Sequence, residues 1–314
     1  MNMAKYRTQL PQLSGEPFLT DAGIETTLIF HEKLELPYFA AFHLLKNEQG
    51  TEALRRYHWQ HAEIARDSAM GFILESATWR ASPDWGDKLG YSARELDDAN
   101  RKAITILHEL REALETRRSP MVISGCIGPR GDGYDPGTLM TPEQAADYHS
   151  GQVRVFAESD VDQVTAITMT NSAEAIGIAR AAKAAGLPSV ISFTVETDGR
   201  LPTGQPFGEA IGEVDEVTGN APAYYMINCA HPTHFEGVLA DTGWGRRLRG
   251  IRANASRCSH AELDEAEVLD EGDPVELGGQ YAALRQRYPW INVLGGCCGT
   301  DHRHIAQIAA ACRV

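Results

Sequence analysis

Six cysteines stand in the 314-residue chain, and two of them are neighbours. Cys297 and Cys298 lie in the run Gly295-Gly296-Cys297-Cys298-Gly299-Thr300. On a regular strand, adjacent side chains point to opposite faces. Both sulfurs can reach one metal ion only where the backbone turns sharply, and flanking glycines permit that turn. A third cysteine, Cys229, sits in Ile227-Asn228-Cys229-Ala230-His231-Pro232. Three thiolates leave one position open on a tetrahedral zinc, the arrangement of a catalytic site rather than a closed structural one. Soft thiolates also select zinc over magnesium or calcium. The bland alternatives for the Cys-Cys pair are two buried small residues or a vicinal disulfide. Cys126 reads as a buried small residue that could face the same site, and Cys258 and Cys312 receive no role. His231, His302 and His304 lie close in sequence to the candidate ligands. They could be ligands, outer hydrogen-bond donors or helix-end residues.

These cysteines need a scaffold that gathers distant chain segments. Eight short apolar stretches recur, at 17–21, 71–76, 120–125, 161–168, 188–194, 223–228, 247–253 and 290–295. They lack clean polar alternation, as strands buried on both faces of a parallel sheet do. Helical patterns separate them, at 51–69, 92–117, 142–159, 172–185, 207–217, 232–241, 275–288 and 302–312. Pro142 behind Thr141 marks a helix start, and Gly186 with Pro188 marks a helix stop. Eight strand–helix units in about 300 residues favour a single (β/α)8 TIM barrel over an open doubly wound sheet. No linker divides residues 1–314, so one domain is expected. In such a barrel the chemistry lies on the loops after the strands. Cys229 follows the sixth strand and Cys297-Cys298 the eighth, which places all three on one rim. The stretch 262–276 holds eight acidic residues and no lysine or arginine. It reads as a solvated surface excursion.

Composition narrows the partners. Lysine and arginine total 29 and aspartate and glutamate 43, a net charge of −14. An acidic surface disfavours nucleic acid and anionic membranes. No apolar run approaches membrane-spanning length, and no secretory pattern opens the chain. A cytoplasmic location is expected, with small-molecule partners. The glycines of 128–137 are not followed by Gly-Lys-Ser/Thr, so they are no P-loop. A Gly-x-Ser-x-Gly elbow is absent as well.

Taken together, these motifs resemble the homocysteine S-methyltransferase family of zinc-dependent (β/α)8 barrels. The family pattern has Asn-Cys after strand six and Gly-Gly-Cys-Cys-Gly after strand eight. The resemblance implies that Cys229, Cys297 and Cys298 hold zinc. Asp21-Ala22-Gly23-Ile24-Glu25-Thr26 is similar to the family's N-terminal Asp-Gly-Gly-Met-Gly-Thr segment. Thr78-Trp79-Arg80-Ala81-Ser82 and Gly125-Cys126-Ile127-Gly128-Pro129 match the loops after strands two and three. Asp21, Glu25, Glu75, Thr78 and Asn254 are the implied substrate contacts. Two departures stand out. Ile167 occupies the place of a family glutamate that holds the amino group of homocysteine. Asn254 lies in a loop that lacks the family's proline and glycine. Glu75, at the end of strand two, could supply a substitute charge, or it could be a salt-bridge residue of the barrel rim.

The activity implied is methyl transfer to the thiol of homocysteine, giving methionine. Only 16 residues follow Cys298, so a direct sulfonium or ammonium donor is expected rather than a cobalamin module. S-methylmethionine or S-adenosylmethionine heads that class. Trp79, Trp85 and Tyr134 could cradle a methyl cation. The alternatives are a different thiol or selenol acceptor on the same fold, and a non-enzymatic, redox-responsive zinc-thiolate protein.

Overall fold

A computed structural model describes residues 4–241, 243–266 and 268–313. Eight parallel strands close into a barrel in chain order. They are β1 (Phe18–Thr20), β2 (Gly71–Glu75), β3 (Met121–Ile127), β4 (Gln163–Met169), β5 (Ser189–Thr194), β6 (Pro222–Asn228), β7 (Leu248–Ala253) and β8 (Val293–Gly296). Pairing of Phe18 with Val293 and Leu19 with Leu294 closes the ring. Six of the eight strands are buried along their whole length. This accounts for their unalternating apolar sequences.

The outer helices follow the sequence punctuation. The long ones are α1 (Glu48–Ser68), α3 (Ala93–Leu114), α4 (Pro142–Ala157), α5 (Ser172–Ala184), α6 (Phe207–Thr218), α9 (Pro274–Arg287) and α10 (His302–Cys312). Shorter ones are α2 (Pro83–Lys88), α7 (Pro232–Phe235) and α8 (His260–Asp264). Ser92 with Glu95 and Thr141 with Gln144 form capping boxes that satisfy the first free N–H groups of α3 and α4. The helix expected over 232–241 is a single turn, because Gly237 and a run of 3-10 turns over 243–247 end the pattern.

Two layers fill the barrel interior differently. At its N-terminal end Leu10, Phe18, Ile73, Val122, Val190, Tyr224, Met226 and Val293 form an apolar plug. Beyond it, toward the C-terminal strand ends, the buried side chains are polar: Asp21, Glu75, Ser124, Thr165 and Arg252. Closed below and polar above, the barrel offers one wet end to ligands. No helix among the described residues is long and apolar enough to cross a membrane.

Candidate active site

At the C-terminal strand ends lies a cavity of about 360 Å³. Cys229, Cys297 and Cys298 line it together with Asp21, Glu25 and Glu75. Cys229 follows β6 in the left-handed region, φ 53°, and its N–H donates to the Arg252 carbonyl. β8 ends at Gly296, and the next two residues leave the strand in a turn closed by Thr300 N–H donating to the Cys297 carbonyl, 3.1 Å. Gly299 at φ 78° completes it, and an added Cβ there would meet the Asp270 carbonyl at 2.6 Å. That turn lets neighbouring cysteines face the same way.

The three sulfurs lie within 4.8 Å of one another. Cys229 Sγ and Cys298 Sγ are 3.9 Å apart, and the sulfurs of Cys229 and Cys297 are in bonding contact. Three soft donors converging on the wall of an open cavity fit a thiophilic ion of the zinc type with one position left for a ligand. No histidine among the described residues joins them. His231 caps α7, its Nδ1 accepting from the Thr233 N–H at 3.3 Å and also meeting the Thr233 hydroxyl at 2.8 Å. His304 completes the capping box of α10 with Asp301, and His302 is that helix's first residue.

Tyr134, on the loop after β3, brings its hydroxyl to 3.3 Å from Cys298 Sγ. Its ring stacks on His260 with centroids 4.1 Å apart. His260 in turn bridges the Cys229 carbonyl, 2.6 Å, and the Glu196 carboxylate, 3.2 Å. One stacked pair therefore supports two of the three cysteines from outside.

The acidic groups differ in their surroundings. Asp21 Oδ1 pairs with Arg252 at 2.7 Å, both side chains being almost fully buried. Tyr57 donates its hydroxyl to the same carboxylate, 3.0 Å. Glu75 has no ion pair this close: its Oε1 is buried without a hydrogen bond, although the Ser124 and Thr165 hydroxyls lie against the carboxyl. Burial pushes its carboxyl up to about 7, against the pull of Arg252. Glu25 is likewise pushed up to about 7 by desolvation. Cys126 lines the cavity too, its thiol raised well above the ordinary range by burial, but it lies outside the sulfur cluster.

Other expected residues sit elsewhere. Thr78 is outside the lining; its hydroxyl donates to the Cys126 carbonyl, 2.7 Å, and meets the Ser76 hydroxyl. Asn254 is buried behind the β7 loop, where its N–H donates to the Ala230 carbonyl, 3.1 Å. Trp79 and Tyr134 line the cavity, whereas Trp85 does not, and its ring is covered by Arg80 and Lys88 at 3.7 and 3.9 Å. The acidic stretch is largely exposed, as expected, with Val268 80% exposed. Leu263, Ala266, Val268, Leu269 and Asp270 within it also border the cavity. Arg252 and Arg80 were not anticipated as site residues. A buried arginine near the C-terminal end of the strand Leu248–Ala253, which carries two arginines, was the available signal for the first.

A family profile described as homocysteine S-methyltransferase matches residues 18–312. The chain belongs to the homocysteine S-methyltransferase family. It is 25% identical to the selenocysteine Se-methyltransferase of Brassica oleracea, over 96% of this chain and 90% of that protein. It is 23% identical to homocysteine S-methyltransferase 4 of Zea mays, over 83% and 79%. Its fold is similar to that of the homocysteine methyltransferase MmuM from Escherichia coli in an oxidized form, TM-score 0.75 at 18% identity, covering 94% and 96% of the two chains. A metallated form of the same enzyme gives 0.71. As a member of the homocysteine S-methyltransferase family, this chain is a methyltransferase acting on small molecules. Ile167, at the departure noted above, is buried and forms part of the cavity wall, and its carbonyl accepts from Trp79 Nε1 at 3.1 Å.

Proposed function

We propose that this methyltransferase moves a methyl group from a sulfonium donor, S-methylmethionine or S-adenosylmethionine, to the thiol of homocysteine, giving methionine. The convergence of Cys229, Cys297 and Cys298 on the cavity carries the reading. A zinc ion held by these three residues would supply deprotonation of an incoming thiol near neutral pH and keep its sulfur nucleophilic. The chain's own groups do the rest. Glu75 and Glu25 offer cavity-lining carboxyls to the ammonium of the acceptor, with Glu75 replacing the missing charge at position 167. An ammonium beside either one draws it back to the ionised form. Tyr134 and Trp79 line the cavity and put aromatic rings near a bound sulfonium. The segment containing Leu263 and Leu269 shields the reacting atoms from water.

In the transfer, the acceptor sulfur forms a bond to the methyl carbon while the bond from that carbon to the donor sulfonium breaks. The electron pair of the broken bond stays on the donor, which leaves as a neutral thioether. The acceptor's proton has already passed to solvent. Holding both sulfurs in line is the protein's main contribution.

The test is methionine formation from L-homocysteine and each sulfonium, by zinc-loaded protein and by protein stripped with a chelator. Activity that falls with the chelator and returns with zinc supports the reading. Turnover unaffected by complete metal removal contradicts it. A second acceptor deserves a parallel assay, because a relative of similar identity is named for selenocysteine.

A further inference from the structure

Two arginines line the cavity, and they are held in different ways. Arg252 is tied to Asp21 and donates to the carbonyls of Ala22 and Gly296, each at 3.2 Å. Arg80 is sandwiched instead by aromatic rings. Its guanidinium carbon lies 3.7 Å from the Trp85 ring centre and 4.6 Å from that of Trp79. The side chain is 8% exposed. Its Nε and Nη1 are buried and have no hydrogen-bond partner among the described residues. Its one ion pair, from Nη2 to Asp132, is long at 3.6 Å, and the Asp132 side chain is half exposed. An always-charged group withdrawn from water with donors unused is expensive to bury. Ring stacking offsets part of that cost but supplies no acceptor.

Glu25 lines the same cavity, where the charge of nearby Arg80 offsets part of the rise that burial gives its carboxyl. A carboxyl and a guanidinium with two unused donors, both lining one cavity, are complementary to a zwitterion. We propose that Arg80 binds the carboxylate of an amino-acid substrate in this cavity and so sets its preference for α-amino acids over simple amines. The inference rests on the methyl-transfer reading and specifies its substrate class. Either substrate could supply the carboxylate, since homocysteine and S-methylmethionine both carry one. Guanidinium–carboxylate pairing of this kind is charge-assisted and directional.

The experiment compares wild type, Arg80→Gln and Arg80→Lys on matched pairs. The acceptor pair is L-homocysteine and 3-mercaptopropylamine. The donor pair is S-methylmethionine and (3-aminopropyl)dimethylsulfonium. In wild type, removing the carboxylate from one partner is expected to cut kcat/KM about tenfold or more. In Arg80→Gln that preference shrinks to within about twofold, with Arg80→Lys between. The pair that responds identifies the partner. A preference for carboxylate that is unchanged in Arg80→Gln overturns the inference. Lack of turnover by wild type counts against the methyl-transfer reading, and the same four ligands are then titrated calorimetrically. A wild type that shows no carboxylate preference in binding overturns the role of Arg80 independently.

Discussion

Arg252 and Asp21 form a buried ion pair, 2.7 Å long, that ties the end of β7 to the end of β1 beneath the cysteines. The two strands are not neighbours; β8 lies between them. The pair therefore braces the strand that carries the Cys-Cys turn from both sides. Arg252 further donates to the Gly296 carbonyl, the last strand residue before Cys297.

Removing one member leaves the other charge buried. Arg252→Met is expected to destabilise the protein by about 3–5 kcal/mol. The double variant Asp21→Asn/Arg252→Met should recover part of that loss, because no bare carboxylate remains on this pair. Urea unfolding of the two single variants and the double variant measures the coupling. Additive losses would mean that the pair does not act as a unit.

Glu75 predicts a pH dependence of opposite sign to the usual carboxylate. In the unfolded chain it titrates near 4.5, and in the fold near 7. Between those values the folded state binds more protons, so stability falls as pH rises. Glu75→Gln removes this term. In metal-free protein the stability difference between variant and wild type should move in the variant's favour between pH 4.5 and pH 8, by up to about 3 kcal/mol. A pH-independent difference would show that burial does not raise the Glu75 carboxyl.

The cysteines predict metal stoichiometry. Cys229→Ala, Cys297→Ala and Cys298→Ala should each lose tightly bound zinc, whereas Cys126→Ala should keep one ion per chain. Elemental analysis after dialysis decides this. The Cα atoms of Cys229 and Cys297 are 5.4 Å apart, within the span of a disulfide. Mild oxidation should therefore release the metal, and a thiol reductant should restore binding. Zinc retained in all three alanine variants would place the ion elsewhere.

The apolar side of the acidic segment predicts a substrate effect without a stability effect. Leu269→Ser should raise KM several-fold, as loss of about 1 kcal/mol of apolar contact does. Thermal unfolding should shift by no more than a few degrees. An unchanged KM would return this segment to the role of a surface excursion.

The barrel was legible because its strands carry a sequence pattern that only double-sided burial produces. All eight expected stretches overlap observed strands, and Gly295 to Thr300 announced the turn that gathers the sulfurs. The six-residue π-helical turn Thr26–His31 was not legible, since no spacing marks one hydrogen-bond register from another over so few residues. Thr78 and Asn254 illustrate a second limit. Thr78 lies between the cavity-lining Ala77 and Trp79, and Asn254 lies two residues from the cavity-lining Arg252 and Ser256; only backbone direction after the strand decides which residue faces inward. The acidic stretch is exposed as its charges imply, but those charges outnumber and hide the apolar Leu263, Val268 and Leu269, which also border the cavity. Arg80 stood in view between Trp79 and Ala81, but the unused donors Nε and Nη1 of its guanidinium are a property of three-dimensional packing.

Calorimetric titration of L-homocysteine into zinc-loaded protein, with Cys298→Ala as the control, tests the central claim most directly and needs no methyl donor. Binding accompanied by proton release, and lost in the variant, is the result expected of a thiol captured at the Cys229, Cys297 and Cys298 site. Absence of binding by protein shown to carry one zinc per chain would contradict homocysteine as the acceptor.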